Sequence, residues 1–495
     1  TLARANAALS VRRLDLAMEH ADAALEMARD DSGRARATMM RFRVLDKRNE
    51  YAAAALEGER ALQLAIRAGD DDVAAEAARL LVFTTSVGLG KPGAAHRWAD
   101  RADAWLVRLG EPAHARVTLD VYRGVVLRDE RKLKDAESLL RNALGRARAL
   151  EPPRPDMVAN ILINLGSTLQ RASKFEDAEA VVRETLQTIT HGLGADHPIR
   201  LSALQQLSAV LLRSGRADEG IELSREVLAG YEGIYGSESP RAAAAHVNLG
   251  TTLFLNGDHA GGRRHNRIAL AIYEASGDVK AQDVAVRNLS QIAIVSGDLD
   301  EARDLARRDV ELCRQVDDAP NLVVAMVNLA TVSGMREEHQ LAYESATQAV
   351  ALAADAFGPE DPARALSWLA LGNTAHKVGD LEESRAAFES GVALLRATTG
   401  AADVSWGPLH AGLAEMHAQA GRHEDAIAAL SEVDLSTMHR DEDRRDASLV
   451  LAESRLALGQ RTQARQDARR ALQYAEASGE PDGIVQAQAL LDRLK

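Results

Sequence analysis

Four asparagines carry the most conspicuous chemistry in this chain: Asn164, Asn248, Asn288 and Asn328, each followed by leucine and then by glycine, serine or alanine. A carboxamide both donates and accepts hydrogen bonds, so a spaced row of asparagines can satisfy the backbone of an extended peptide without demanding one sequence. Gln206-Leu207-Ser208, Ala370-Leu371-Gly372, Gly412-Leu413-Ala414 and Val450-Leu451-Ala452 continue the row in weaker form. The eight triplets start 42, 42, 40, 40, 42, 42 and 38 residues apart. On a helix, the residues three and seven places after each start share its face. That face reads Asn164, Ser167 and Arg171, then Gln206 and Arg213, then Asn248 and Thr251. It continues with Asn288 and Gln291, Asn328 and Thr331, and Asn373 and Lys377, with Asn160 and Arg287 flanking the line. Arginine and lysine at such positions can hold a carboxylate. Phe254, Ile294 and Met335 would add shallow apolar contacts. The competing reading is that these polar side chains brace neighbouring helices or are solvated.

Other arrangements that suggest chemistry fail on spacing. Gly88-Leu89-Gly90-Lys91-Pro92 has threonine (Thr85) where a phosphate loop needs its first glycine, and proline where it needs Ser or Thr. His410, His417 and His423 lack a zinc-ligand spacing and read as packed or surface histidines, so no metal is expected. Asp70-Asp71-Asp72 and Asp441-Glu442-Asp443 lack the glycine and glutamate of a calcium loop and read as solvated breaks between helices. No nucleophile, base and acid share a local signature. The expectation is a non-catalytic protein without a cofactor.

The composition agrees with a binding role. Only 3% of the 495 residues are aromatic, and 46% are hydrophobic, with alanine and leucine dominant. This suits close-packed helices. The net charge of −13 disfavours binding to nucleic acid, and the short run Arg263-Arg264-His265-Asn266-Arg267 reads as a solvated helix face. A single cysteine, Cys313, allows no internal disulfide and points to a reducing, cytoplasmic setting, as a small buried residue. The longest apolar stretch, Leu322 to Val332, is too short to span a bilayer. Only 8 of the 60 basic residues are lysine, which fits the Arg/Ala bias of a GC-rich bacterial genome.

A period near 42 residues belongs to stacked helical repeats, in which each unit packs only on its neighbours. In the unit from Asp156 to Ala195, Val158, Ile161, Leu162, Leu165 and Leu169 mark a first helix. After a break at Ala172-Ser173-Lys174, Phe175, Ala178, Val181, Val182, Leu186 and Ile189 mark a second. Nine residues past the triplet start a glycine recurs, at Gly215, Gly257, Gly297, Gly379, Gly421 and Gly459, where a helix end calls for a left-handed residue. Prolines at 198, 240, 320 and 362 open first helices, with Ser239 and Asp361 as N-caps. Fourteen residues past the start lies a small residue, such as Ala178, Gly220, Gly262 or Ala302, where the two helices must approach closely.

This pattern resembles the tetratricopeptide repeat, with Trp368 standing where that family places its first-helix tryptophan. The longer period, with Gly194-Ala195-Asp196-His197-Pro198 and Gly358-Pro359-Glu360-Asp361-Pro362, is similar to the kinesin-light-chain type. HEAT and armadillo repeats share the period, but nothing favours them over the reading carried by these glycine and alanine positions. The resemblance implies an all-α, right-handed α-solenoid of about twelve helix pairs. Degenerate repeats would occupy 1–155, well-defined ones 156–480 and a capping helix 481–495, as one continuous solenoid. It further implies a protein- or peptide-binding scaffold or sensor with a concave surface lined by first helices, without membrane insertion. Such arrays occur in larger bacterial signalling proteins, and Thr1 opens inside a helix, so an upstream domain is expected. The alternative is a ligand-gated regulator whose pitch controls an upstream kinase or ATPase.

Overall fold

The chain is described by a computed structural model that covers residues 1–10, 13–48, 50–194, 197–398, 406–438 and 440–495. Its packing groups into two compact units, Thr1–Tyr235 and Gly236–Lys495. Among the described residues the first unit holds six helix pairs. These are α1 (Leu2–Ser10) with α2 (Leu14–Met27), α3 (Asp31–Lys47) with α4 (Tyr51–Ala68), and α5 (Asp71–Phe83) with α6 (Pro92–Arg108). Then come α7 (Ala113–Asp129) with α8 (Leu133–Arg148), α9 (Pro155–Arg171) with α10 (Phe175–Gly192), and α11 (Ile199–Arg213) with α12 (Ala217–Tyr235).

The second unit repeats the plan. It holds α13 (Pro240–Leu255) with α14 (His259–Ser276), α15 (Val279–Val295) with α16 (Leu299–Gln315), and α17 (Ala319–Met335) with α18 (His339–Ala356). Next are α19 (Ala365–Val378) with α20 (Leu381–Thr398), α21 (Trp406–Gln419) with α22 (His423–Ser431), and α23 (Asp441–Ala457) with α24 (Arg461–Ser478). A last helix, α25 (Pro481–Arg493), lays Leu490 and Leu494 on Ala452, Ala464 and Ala468. Within each unit every helix packs on the next in sequence, as the short connections require. No described helix is long and apolar enough to cross a membrane.

The punctuation has a physical origin at each joint. All six recurrent glycines take left-handed φ, from 72° at Gly421 to 88° at Gly257. Where the same place holds Arg131, Ser173 or Glu337, the backbone still adopts φ of 60°, 57° and 62°. The turn is thus imposed by the helix pair, and three repeats tolerate a strained side chain to make it. The next helix starts on an aspartate in four successive cases. Asp258, Asp278, Asp298 and Asp318 accept from the backbone N–H of Gly261, Ala281, Glu301 and Asn321 at 2.8, 3.0, 3.2 and 3.2 Å. Ser239 caps α13 in the same way, at 3.2 Å from Ala242 N.

The small residues hold the two helices of a pair together. The Ser208 hydroxyl donates to Gly220 O at 2.7 Å, and that of Ser290 to Ala302 O at 3.1 Å. Phe388 of α20 lies between Gly372 and Gly412, where an added Cβ would come within 2.6 and 2.4 Å of its ring. The glycine of the triplet is therefore space for a neighbour's side chain.

Three surface expectations need correction. The acidic run at 70–72 is not a solvated break: Asp70 caps α5 and holds Ser32 and Arg36 at 3.0 Å each, while Asp71 pairs with Arg108 at 2.6 Å. The run at 441–443 forms the first turn of α23, with Asp441 on Arg444 at 2.8 Å, where carboxylates favour the helix N-terminus. The basic run at 263–267 is only partly solvated. Arg263 and Arg267 both bind Glu301, Asn266 is fully buried, and the His265 ring stacks on His246.

Candidate ligand-binding faces

In the second unit the first helices α13, α15 and α17 present the same four-position face. It reads Ala244, Asn248, Thr251 and Leu255, then Val284, Asn288, Gln291 and Val295, then Val324, Asn328, Thr331 and Met335. None of these side chains is charged. The last member of each set closes its helix and projects into solvent: Leu255 is 58% exposed, Val295 55% and Met335 51%. Val284 on the opposite flank is 44% exposed. A row of amides thus runs between two apolar flanks, the same in three successive repeats.

The amides are not equivalent. Asn288 donates to Thr251 Oγ1 and to Asn266 Oδ1, both at 3.1 Å, and so ties α15 to α13 and α14. Asn266 in turn donates to Gly262 O at 2.9 Å, and Gly250 is glycine because a Cβ there would lie 2.5 Å from the Asn266 amide. Asn248 and Asn328 are half-buried and make no side-chain hydrogen bond to any described residue. Farther along, Asn373 and Lys377 of α19 are exposed, as is Gln291, and Lys377 has no ion pair among the described residues.

In the first unit α9 and α11 carry the corresponding face with different chemistry. Asn164 donates to Asn160 O at 2.9 Å and Asn160 Oδ1 at 3.0 Å, and accepts from Arg128 Nη1 at 3.3 Å. Gln206 is buried and donates to Ile163 O at 3.0 Å and to Ser167 Oγ at 2.9 Å. Gly166 makes room for that bridge, since a Cβ would sit 3.0 Å from the Gln206 nitrogen. Where the second unit has Leu255, Val295 and Met335, this unit has Arg171 and Arg213. Arg171 lies 3.5 Å from Asp129 Oδ1, and burial, then nearby Arg128, pull its pKa down. Arg213 is exposed without an ion pair among the described residues.

Arg287 is occupied inside the structure. It pairs with Asp283 on its own helix and with Asp309 Oδ2 of α16 at 3.4 Å, which leaves nothing for a ligand carboxylate. Phe254 and Ile294 are half-buried, Phe254 with its ring 5.4 Å from that of His259. The apolar contact surface therefore falls one residue later, on Leu255 and Val295, and only Met335 among the expected three belongs to it. The seven-residue helical offset that picked out Arg171 and Arg213 was the signal that finds them.

Of the three histidines, His410 and His423 engage neighbouring residues. His410 is fully buried, with Nδ1 2.9 Å from Trp406 O and its ring 4.3 Å from that of Trp406, and burial lowers its pKa. His423 opens α22, with Nδ1 3.4 Å from Ser454 Oγ.

A tetratricopeptide-repeat family model matches residues 157–219, 200–275 and 323–397, so these stretches are tetratricopeptide repeats. Among curated proteins, none matches in sequence. Of solved structures, the kinesin light chain TPR-like repeats of Podosopora anserina align at 22% identity over 41% of this chain and 99% of that one, with a TM-score of 0.37. BtubC (BKLC) from P. vanneervenii aligns at 20% identity over 46% of this chain and 91% of that one, with a TM-score of 0.39. A STAND protein with a tetratricopeptide repeat sensor from Pyrococcus horikoshii aligns at 12% identity over 79% of this chain and 55% of that one, with a TM-score of 0.47.

Proposed function

We propose that this chain of tetratricopeptide repeats is a non-catalytic scaffold or sensor module that binds protein or peptide segments on the faces of its first helices, as part of a larger signalling protein. The observation that carries this reading is the uncharged face of α13, α15 and α17. Exposed Leu255, Val295 and Met335 flank Asn248 and Asn328, whose amides have no partner among the described residues. An extended segment offers its backbone N–H and C=O groups to such amides and its apolar side chains to the flanks. A charged side chain placed there would lose water without gaining a counter-ion. The face therefore suits an uncharged, apolar-rich segment. Arg171 and Arg213 of the first unit suit an acidic segment or a terminal carboxylate, together with Asn160, Asn164 and Gln206 around them.

A peptide array read with the wild-type chain and with Leu255→Asp/Val295→Asp/Met335→Asp tests the assignment. Retained uncharged, apolar-rich peptides that the variant loses at unchanged helicity support it. Equal retention of the same peptides by the variant sinks it.

A second reading, a ligand-gated regulator, is favoured by Asn288. Its hydrogen bond to Thr251 crosses from one repeat to the previous one, so a ligand that claims either group alters the tie between repeats. Small-angle scattering with and without bound peptide tests it, and an unchanged profile at saturation removes this reading.

A further inference from the structure

Behind Asn288 lies a cluster that ligand binding does not use. Asp283 and Arg287 of α15 face Asp309 and Cys313 of α16, and Asp283, Asp309 and Cys313 are 3%, 1% and 1% exposed. Their ligating atoms lie within 4.8 Å of one another, and Cys313 Sγ sits 3.7 Å from Asp283 Oδ1. Arg287 binds both carboxylates, so one guanidinium, on a side chain 23% exposed, faces two buried carboxylates. One negative charge is left over, and a buried unpaired charge is neutralised rather than kept. Asp309 Oδ1 is buried with no hydrogen-bond partner, as suits an acid group better than a bare anion. Arg287 already fills the cationic place, so the missing charge is a proton's and not a metal ion's.

We propose that Asp283 and Asp309 share a single proton at neutral pH and give it up only when α15 parts from α16, so that rising pH favours that opening and with it release of the Asn288 tie beneath the ligand face. Burial, then the neighbouring Asp283 carboxylate, raises the Asp309 pKa to about 8 against the opposing pull of Arg287. The thiol stays protonated throughout, since burial and the two carboxylates raise Cys313 to about 12.

The surrounding elements bring little that competes. α17 contains no ionisable side chain and offers Ala325, Met326 and Leu329 to the Cys313 side. From α14, Glu274 is held by Arg308, and Arg263 and Arg267 by Glu301 of α16. Tyr273 of α14 accepts at its carbonyl from Gln282, 3.4 Å away. α13 carries Arg241 and His246, and the His246 ring stacks on His265 of α14. The charge balance is therefore set by Asp283, Arg287 and Asp309.

The sign follows from linkage. Asp309 holds its proton more tightly folded than unfolded, where the ordinary value is 3.8. The stability that this supplies is complete below that value and drains as pH rises to about 8, by a factor of ten in the local opening constant per pH unit for one proton. Its effect on binding rests on the function proposed above; the switch itself does not.

Hydrogen exchange of α15 and α16 peptides between pH 6 and 9, corrected for intrinsic rates, tests the switch on the full chain. The wild type should lose protection about a hundredfold from pH 6 to 8 and then level off. Asp309→Asn, neutral at every pH, should show no such loss. A flat wild-type profile, or a variant that falls in parallel, overturns the proposal. If Asp309→Asn does not fold, carboxyl carbon resonances of the wild type decide. One aspartate titrating above pH 7 supports the shared proton, and all titrating below pH 6 refute it. Peptide affinity over the same range separates the two claims: exchange that switches while affinity stays constant refutes the coupling to the ligand face alone.

Discussion

The faces of α9 and α11 in the first unit and of α13, α15 and α17 in the second are built on the same register, yet they end on opposite chemistry. Seven residues past the triplet start stand Arg171 and Arg213 in the one, and Leu255, Val295 and Met335 in the other. The positions that set the pairing of helices, by contrast, are alike in both: Ala178 and Ala302 are buried at the crossing, and Ser208 and Ser290 donate across it. Packing fixes which positions exist, and the exposed positions are then free to differ between repeats. On the function proposed above, selectivity would reside in a few exposed rows, and stability in the small residues between them.

The comparison breaks first on binding. Leu255→Asp/Val295→Asp/Met335→Asp should weaken an uncharged apolar peptide about a hundredfold, roughly 1 kcal/mol per half-exposed side chain, while an acidic peptide is unaffected. Arg171→Ala/Arg213→Ala should do the reverse, with about a tenfold loss for the acidic peptide by titration calorimetry. If both variants weaken both peptides alike, the two faces do not differ in the way described. The packing positions should respond in stability only. Gly412→Ala drives a methyl into the Phe388 ring, and a loss of about 1–3 kcal/mol in denaturant melts of the second unit is expected.

The amides split next. Asn288→Ala removes two hydrogen bonds and strands Asn266 Oδ1, which should cost about 1–2 kcal/mol of stability. Asn248→Ala and Asn328→Ala should stay within about 0.5 kcal/mol, as surface changes without partners do. Equal costs at all three would erase the distinction between bracing and open asparagines. The smallest effect lies at the turns. Ser173→Gly in the first unit and Glu337→Gly in the second should each stabilise by about 0.5–1 kcal/mol, because the left-handed turn no longer carries a side chain. A thermal scan that shows loss at either position would place the strain elsewhere.

Much of this architecture is legible in the sequence because it is local and periodic. The break at Ala172-Ser173-Lys174, the left-handed glycines and the buried small residue at the crossing all follow from one repeat at a time. What escapes is pairing between helices. Arg287 reads as a surface cation on its own helix, and only the approach of α16, 22 residues on, turns it inward to Asp309. Asn288 and Gln206 likewise lie on the expected face but are engaged by Thr251 and Ser167 of the preceding repeat. Phe254 and Ile294 mislead because one residue is a rotation of about 100° on a helix, which separates a half-buried side chain from the exposed one after it. Asp70 was readable as a cap from its position before an apolar run, and Asp441 as a first-turn acid.

The central claim is that the ligand touches the uncharged face of α13, α15 and α17, and Met335 reports on it directly. The chain has nine methionines, and Met335 is 51% exposed whereas Met39 and Met40 of the first unit are 3% and 6%. With methyl-labelled methionine, assigned through Met335→Leu, an uncharged apolar peptide added to saturation should shift the Met335 resonance and leave those of Met39 and Met40 in place. A peptide that binds at saturation without moving Met335 contradicts the account.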